Sequence, residues 1–257
     1  MNFRGQLIAL YTITRKEVIR ILRIWMQTIV PPVITMTLYF VIFGNLIGRR
    51  VGEMGGFDYM QFMAPGLIMM SVITNSYGNV VSSFFAAKFQ GHLQEMLVAP
   101  VKSWVIILGH VGGGVIRGLL VGGVVTVVAL FFTQLEVKHP LITISMLVLT
   151  ATVFSLGGMI NAIFARKFDD VSIIPSFVLG PLTYLGGVFY TTSLLPEFWA
   201  RVSAFNPILY MVNGFRYGML GVSDISIVSA YAIVIAFVFI AFAVCFYLIS
   251  RGIGIRD

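Results

Sequence analysis

Three histidines, one cysteine and ten acidic residues are all that this chain offers to a metal ion or to a travelling proton. His92, His110 and His139 are scattered, which argues against a metal cluster. Cys245 stands alone, which rules out a disulfide framework; it reads as a small apolar side chain. The acids (Glu17, Glu53, Asp58, Glu95, Glu136, Asp169, Asp170, Glu197, Asp224 and Asp257) all fall in connecting stretches or at segment ends. Carriers driven by protons or sodium set acids inside their spans, so another energy source is expected. No G-x-x-x-x-G-K-[ST] phosphate loop occurs and no hydrolase triad stands out. The glycine-rich "GHVGGGVIRG" (109–118) has no strand before it, and its glycines suit close approach between helices. The chain reads as one that breaks no covalent bond and holds no cofactor of its own.

One charge lies inside an apolar segment. Arg117 is about thirteen residues into the third such segment, near mid-depth at about 1.5 Å per residue. A central arginine costs about 2.5 to 3.5 kcal/mol on insertion scales, so it should face protein or a wet cavity. Asn75, Tyr77 and Asn79 are its nearest polar candidates by depth. Either neutral oxygens hold it as a strut, or it contacts an anionic substrate such as a lipid phosphate.

The elements that carry these residues follow from composition. The chain is 58% hydrophobic and 11% charged, with a mean hydropathy of +0.96; soluble domains run near 45–50% and about 25%. Six runs are long enough to cross about 30 Å of hydrocarbon: 26–48, 59–83, 104–132, 141–164, 173–190 and 227–249. They are continuous, with no period-two alternation, which excludes a barrel. The expected fold is an all-α integral membrane protein of six transmembrane helices, one domain over 1–257. With the N-terminus inside, eleven basic residues fall on cytoplasmic stretches and five outside, Arg49, Arg50, Lys138, Arg201 and Arg216. That asymmetry puts both termini in the cytoplasm. The net charge of +7 is read as topology and affinity for anionic lipid, with no role for nucleic acid.

Three stretches lie outside the spans. Residues 3–23 form an amphipathic helix with the stripe Phe3, Leu7, Leu10, Thr14, Val18 and Ile21, expected to lie along the inner membrane surface. The following Pro31–Pro32 are expected in the first turns of span one, where a missing N–H costs least. Residues 191–226 are external, apolar and aromatic, with Pro196 and Pro207 starting two short helices; these are either re-entrant or interfacial. Residues 84–103 hold a short helix that is neither lipid-buried nor fully polar. Phe85, Lys88, Phe89, Leu93, Met96 and Leu97 give it a mixed surface suited to docking on a soluble partner.

"GHLQEMLVAPV" (91–101) resembles the G-x-L-E-x-L-L-x-x-P-[IV] motif of type-2 ATP-binding-cassette (ABC) exporter permeases. "RILRIWMQTIVPPVITMTLYFVIFGNLIG" (20–48), "FDDVSIIPSFVLGPLTYLGGVFY" (168–190) and "FNPILYMVNGFRYGMLG" (205–221) agree with the same family, in order. Gln94 departs from it, standing where the family often has an acid, with Glu95 next. The resemblance implies a permease of the bacterial inner membrane that works as a homodimer among membrane lipids. Two copies of a separate ATPase subunit would bind ATP and Mg. It implies ATPase contacts at Lys88, Gln90, His92, Leu93, Gln94, Glu95 and Leu97, at Arg15 and Lys16, and at Arg166 and Asp169 of a smaller turn (165–171). Family members export polysaccharides, lipid-linked sugars or amphipathic drugs. Polar residues on spans give pathway candidates, Thr35, Tyr39, Asn75, Asn79, Arg117 and Tyr184, each of which could equally be packing between helices. An ATP-independent channel or carrier, and a structural assembly factor, remain open alternatives.

Overall fold

The structure, a computed structural model, describes residues 2–255. Arg256 and Asp257, part of the charge reading above, lie outside the described residues, as do the side chains of Asn45 and Arg49. Helix α1 (Phe3–Arg23) begins where the Asn2 side chain accepts from the Gly5 N–H at 3.1 Å. Ile24, at φ −105° and ψ 31°, breaks the helix, and α2 (Trp25–Tyr39) resumes at once. A π-helical stretch, Phe40–Ile47, and the short α3 (Gly48–Val51) complete that rod. Pro31 and Pro32, expected in the first turns, are the seventh and eighth residues of α2, about two turns in and past the positions where a missing N–H is free. Their missing N–H groups leave the carbonyls of Gln27 and Thr28 without intrahelical partners.

A two-residue hairpin follows, β1 (Glu53–Met54) against β2 (Phe57–Asp58), in register Glu53 to Asp58. The Asp58 carboxylate accepts from Met60 N–H at 3.0 Å and starts α4 (Tyr59–Phe89). Gly91, at φ 80°, reverses the chain into α5 (His92–Val98). Next come α6 (Ser103–Leu130) and α7 (Pro140–Phe164). The following rod is made of α8 (Phe168–Ile174), a π-helical Pro175–Leu179, and α9 (Gly180–Tyr184). It starts before and ends before the expected 173–190, because residues 185–190 leave the helix in turns and bends. A 3₁₀ turn (Thr192–Leu194), α10 (Glu197–Ala204), α11 (Pro207–Leu220) and α12 (Ile227–Arg251) close the chain.

Among the described residues, four helices are by length and composition able to cross a membrane: Trp25–Gly44, Ser103–Leu130, Pro140–Phe164 and Ile227–Arg251. Helix α4 has 31 residues but carries Asn75, Asn79 and several serines. It is the hub of the bundle, buried along most of its length against α6, α7 and α11. By contrast α2 and α12 turn apolar side chains outward, including Ile34, Leu38, Phe239 and Ile240. Such faces suit lipid or another apolar surface.

Helix α1 does not lie across the ends of the bundle. Gln6 bonds at Pro100 and Lys102, Ile13 packs at Gly109, and Glu17 packs at Gly113. The contacts advance in step, so α1 and the start of α6 run side by side in one direction. A Cβ on Gly113 would sit 2.5 Å from that of Glu17, so only glycine admits this approach. The expected stripe is divided: Leu10, Thr14 and Val18 are half-buried and Ile21 is buried, and polar residues off the stripe are buried with it. Phe3 and Leu7 are exposed, whereas Gln6, Glu17 and Ile21 are buried.

Candidate functional site

At one end of the bundle α5 forms a small platform. Leu93 is fully buried beneath it and so is an anchor, not part of a docking surface as expected. A helix of seven residues has no stability of its own; this one is held by its apolar underside. The face it leaves outward carries Gln90, His92, Gln94 and Glu95, with Val98 88% exposed. Leu97 is half-buried. Lys88 Nζ donates to the carbonyls of Ile163 at 2.6 Å and Ala165 at 2.9 Å, closing the last turn of α7. Lys88 is therefore engaged within the chain. The α7–α8 turn next to it exposes Arg166 and Asp169. Asp170 accepts from the N–H groups of Arg166 and Lys167 at 2.8 and 3.0 Å, which hold its carboxyl below the usual carboxylate range. Phe85, Lys88, Phe89, Gln94 and Arg166 border a hollow of about 500 Å³. A second groove, about 380 Å³, runs between α1 and α5 past Thr12, His92, Glu95 and Met96. Arg15 and Lys16 are exposed on α1.

Gln6 ties α1 to this platform. Its Nε2 donates to the Pro100 carbonyl at 2.8 Å, and its Oε1 accepts from Lys102 N–H at 3.0 Å. Further along, Glu17 is fully buried. It pairs with Arg20 at 2.9 Å and accepts from Ser83 Oγ on α4. Arg20 Nη2 also donates to the Asn79 side chain at 2.7 Å and to its carbonyl at 3.1 Å. Asn79 therefore belongs to a buried junction of α1, α4 and α6, not to an open pathway. Arg117 lies at the same junction, partly buried, and among the described residues no oxygen of Asn75, Tyr77 or Asn79 accepts from it. The strut of neutral oxygens expected for it is absent among those residues.

Two pathway candidates meet in a cleft between α2 and α4. Thr35 and Asn75 line it with Gln27, Pro31, Pro32, Met36, Met70 and Thr74, around about 270 Å³. Neutral hydrogen-bonding groups thus stand on an apolar wall. Toward the other end of the bundle, the hydroxyls of Tyr39 and Tyr184 bond at 2.9 Å, linking α2 to α9. Phe189 packs against both rings.

At that far end Arg216 of α11 is 1% exposed, although the sequence reading counted it as an external loop charge. Nη2 donates to Gly187 O at 2.7 Å, and Nε to Phe62 O at 3.3 Å. The guanidinium lies 3.9 Å from the centre of the Phe62 ring. Helix α11 is buried among α4, α7 and α12, while Phe198 of α10 and Phe205 just after it are exposed.

Glu17, Gln6 and Arg216 were missed as structural polar residues. Gln6 and Glu17 are eleven apart, three helical turns, which places both on one face. Gly109 and Gly113, four apart, form the complementary signal on α6. For Arg216 no local signal distinguishes a buried cation from a loop one.

Comparison with known proteins adds the following. A family described as "ABC-2 type transporter" matches residues 8–220. The inner membrane transport permease YadH of Escherichia coli (strain K12) is 58% identical, over 97% of this chain and 98% of that protein. Nodulation protein J of Rhizobium leguminosarum bv. trifolii is 24% identical, over 72% of this chain and 71% of that protein.

Proposed function

The chain belongs to the ABC-2 type transporter family, and from that premise we propose that it is the membrane permease of an ATP-driven exporter. Two copies would enclose a pathway, each supplying six spans: α2–α3, α4, α6, α7, α8–α9 and α12. Both termini and α5 would face the cytoplasm, in the inner membrane named for its 58% identical relative. A separate ATPase, in two copies, would bind ATP and Mg and dock on α5, α1 and the α7–α8 turn. The observation that carries this reading is the α5 platform: a short helix pinned from below by buried Leu93, with Gln90, His92, Gln94 and Glu95 facing out. A pinned helix transmits a push to α4, which it follows directly in the chain, and α4 is the hub of the bundle.

The α2–α4 cleft lies on the route such a push would alter. Its uncharged lining supports an amphipathic cargo without a strong charge at that point.

The test is purification in mild detergent with identification of the co-eluting subunit, followed by reconstitution. Glu95 is exposed, so Glu95→Lys leaves the fold intact. Flux is expected to fall about tenfold while the partner still hydrolyses ATP. Unchanged substrate-stimulated ATPase and flux in that variant would count against docking at α5. Flux from this chain alone would end the ATP-driven reading.

A further inference from the structure

Three buried donors at the α1–α4–α6 junction have no acceptor: Arg20 Nε, Asn79 Nδ2 and Arg117 Nε. They share one place. Arg20 Nη2 is 2.7 Å from Asn79 Oδ1. A Cβ on Gly113 would come 3.5 Å from Asn79 Nδ2, and Arg117 is one turn further along α6. Charge is also out of balance there. Glu17 is committed to Arg20 and Ser83, and Arg117 makes no ion pair among the described residues. A desolvated cation beside orphaned donors calls for a group that only accepts and carries negative charge.

Depth identifies that group. From Tyr59, at the far end of α4, to Asn79 is about 30 Å at 1.5 Å per residue, the thickness of the hydrocarbon layer. Measured along α4 from Tyr59, Arg20, Asn79 and Arg117 come toward the membrane surface nearer α5. Trp25, 53% exposed at the start of α2, marks the same level, as interfacial tryptophans do. Leu22 and Met26 are exposed beside it, an apolar strip on the bilayer side.

We infer that Arg117, with Arg20 and Asn79, holds the phosphate of an anionic lipid, whose acyl chains lie along Leu22, Trp25 and Met26. This site stands apart from the transport reading and does not require it.

Full-length chain in mild detergent is exchanged against vesicles of phosphatidylglycerol, vesicles of phosphatidylcholine, or inorganic phosphate. Retained lipid is then read by native mass spectrometry, and protection by thermal unfolding. Wild-type chain should retain phosphatidylglycerol over phosphatidylcholine. Arg117→Gln should weaken that retention about tenfold, the loss of one charge-assisted contact, and Arg117→Lys should recover part of it. Inorganic phosphate protecting as well as phosphatidylglycerol would reassign the site to a free oxyanion and overturn the lipid. Equal retention of the two lipids by wild-type chain, or unchanged retention in a folded Arg117→Gln, would overturn the site itself. Should Arg117→Gln fail to fold, the head-group comparison on wild-type chain decides alone.

Discussion

Arg216 and Arg117 are two arginines in one apolar bundle with opposite surroundings. Arg216, at the α11 end, donates to carbonyls of Phe62 and Gly187 and lies over the Phe62 ring, with only its Nη1 left buried without an acceptor. Arg117, toward the α5 end, has a buried Nε with no acceptor, beside an ion pair already complete. The first joins α11 to α4 and to the turn after α9; it is a fastening. The second lies beside donors with bonding capacity to spare, Arg20 Nε and Asn79 Nδ2. The comparison separates a closed end, where polar groups hold the chain to itself, from an open end, where they remain available to something else.

The sharpest way to break that contrast is Arg216→Met. Removing the cation takes the donor from the carbonyls of Phe62 and Gly187 in a buried setting, and we expect a loss of about 3 kcal/mol or more, read as a fall in the unfolding midpoint in detergent. A stable Arg216→Met chain would mean that the far end is not held as described. Next is Glu17→Gln, which keeps an oxygen for Ser83 but leaves Arg20 without its counter-charge. Arg20 retains some solvent access, so the expected cost is about 2 kcal/mol. High salt should narrow the gap between wild type and variant, a sensitivity that Arg216→Met should lack. The smallest effect is expected from Gln6→Ala, about 1 to 2 kcal/mol for two backbone bonds. Its signature is local: hydrogen exchange should quicken at the Lys102 amide while protection in α7 and α11 stays unchanged.

Much of the architecture was legible because hydrocarbon leaves few choices. The apolar runs at 104–132, 141–164 and 227–249 correspond to α6, α7 and α12 within a few residues. Pro207 announced the start of α11, and the Asn206 side chain caps it, accepting from Ile208 N–H at 3.0 Å. The site was less legible. Leu93 read as a docking residue because periodicity gives a helix an apolar face without saying what covers it. Asn79 read as pathway-lining because a polar residue on a span has no partner in one dimension. Its partner, Arg20, is 59 residues away in the chain.

The sequence by itself determined the class of solvent, the approximate lengths of the spans and the family. Each of these depends on local composition or on a contiguous motif. Only the tertiary structure decided which charges are buried, that α1 climbs beside α6, and that Thr35 and Asn75 share a cleft. A buried charge is tolerated where distant groups satisfy it, and a helix chooses its path by the glycines it meets on another helix. Both are properties of pairs far apart in the chain, to which periodicity within one segment is blind.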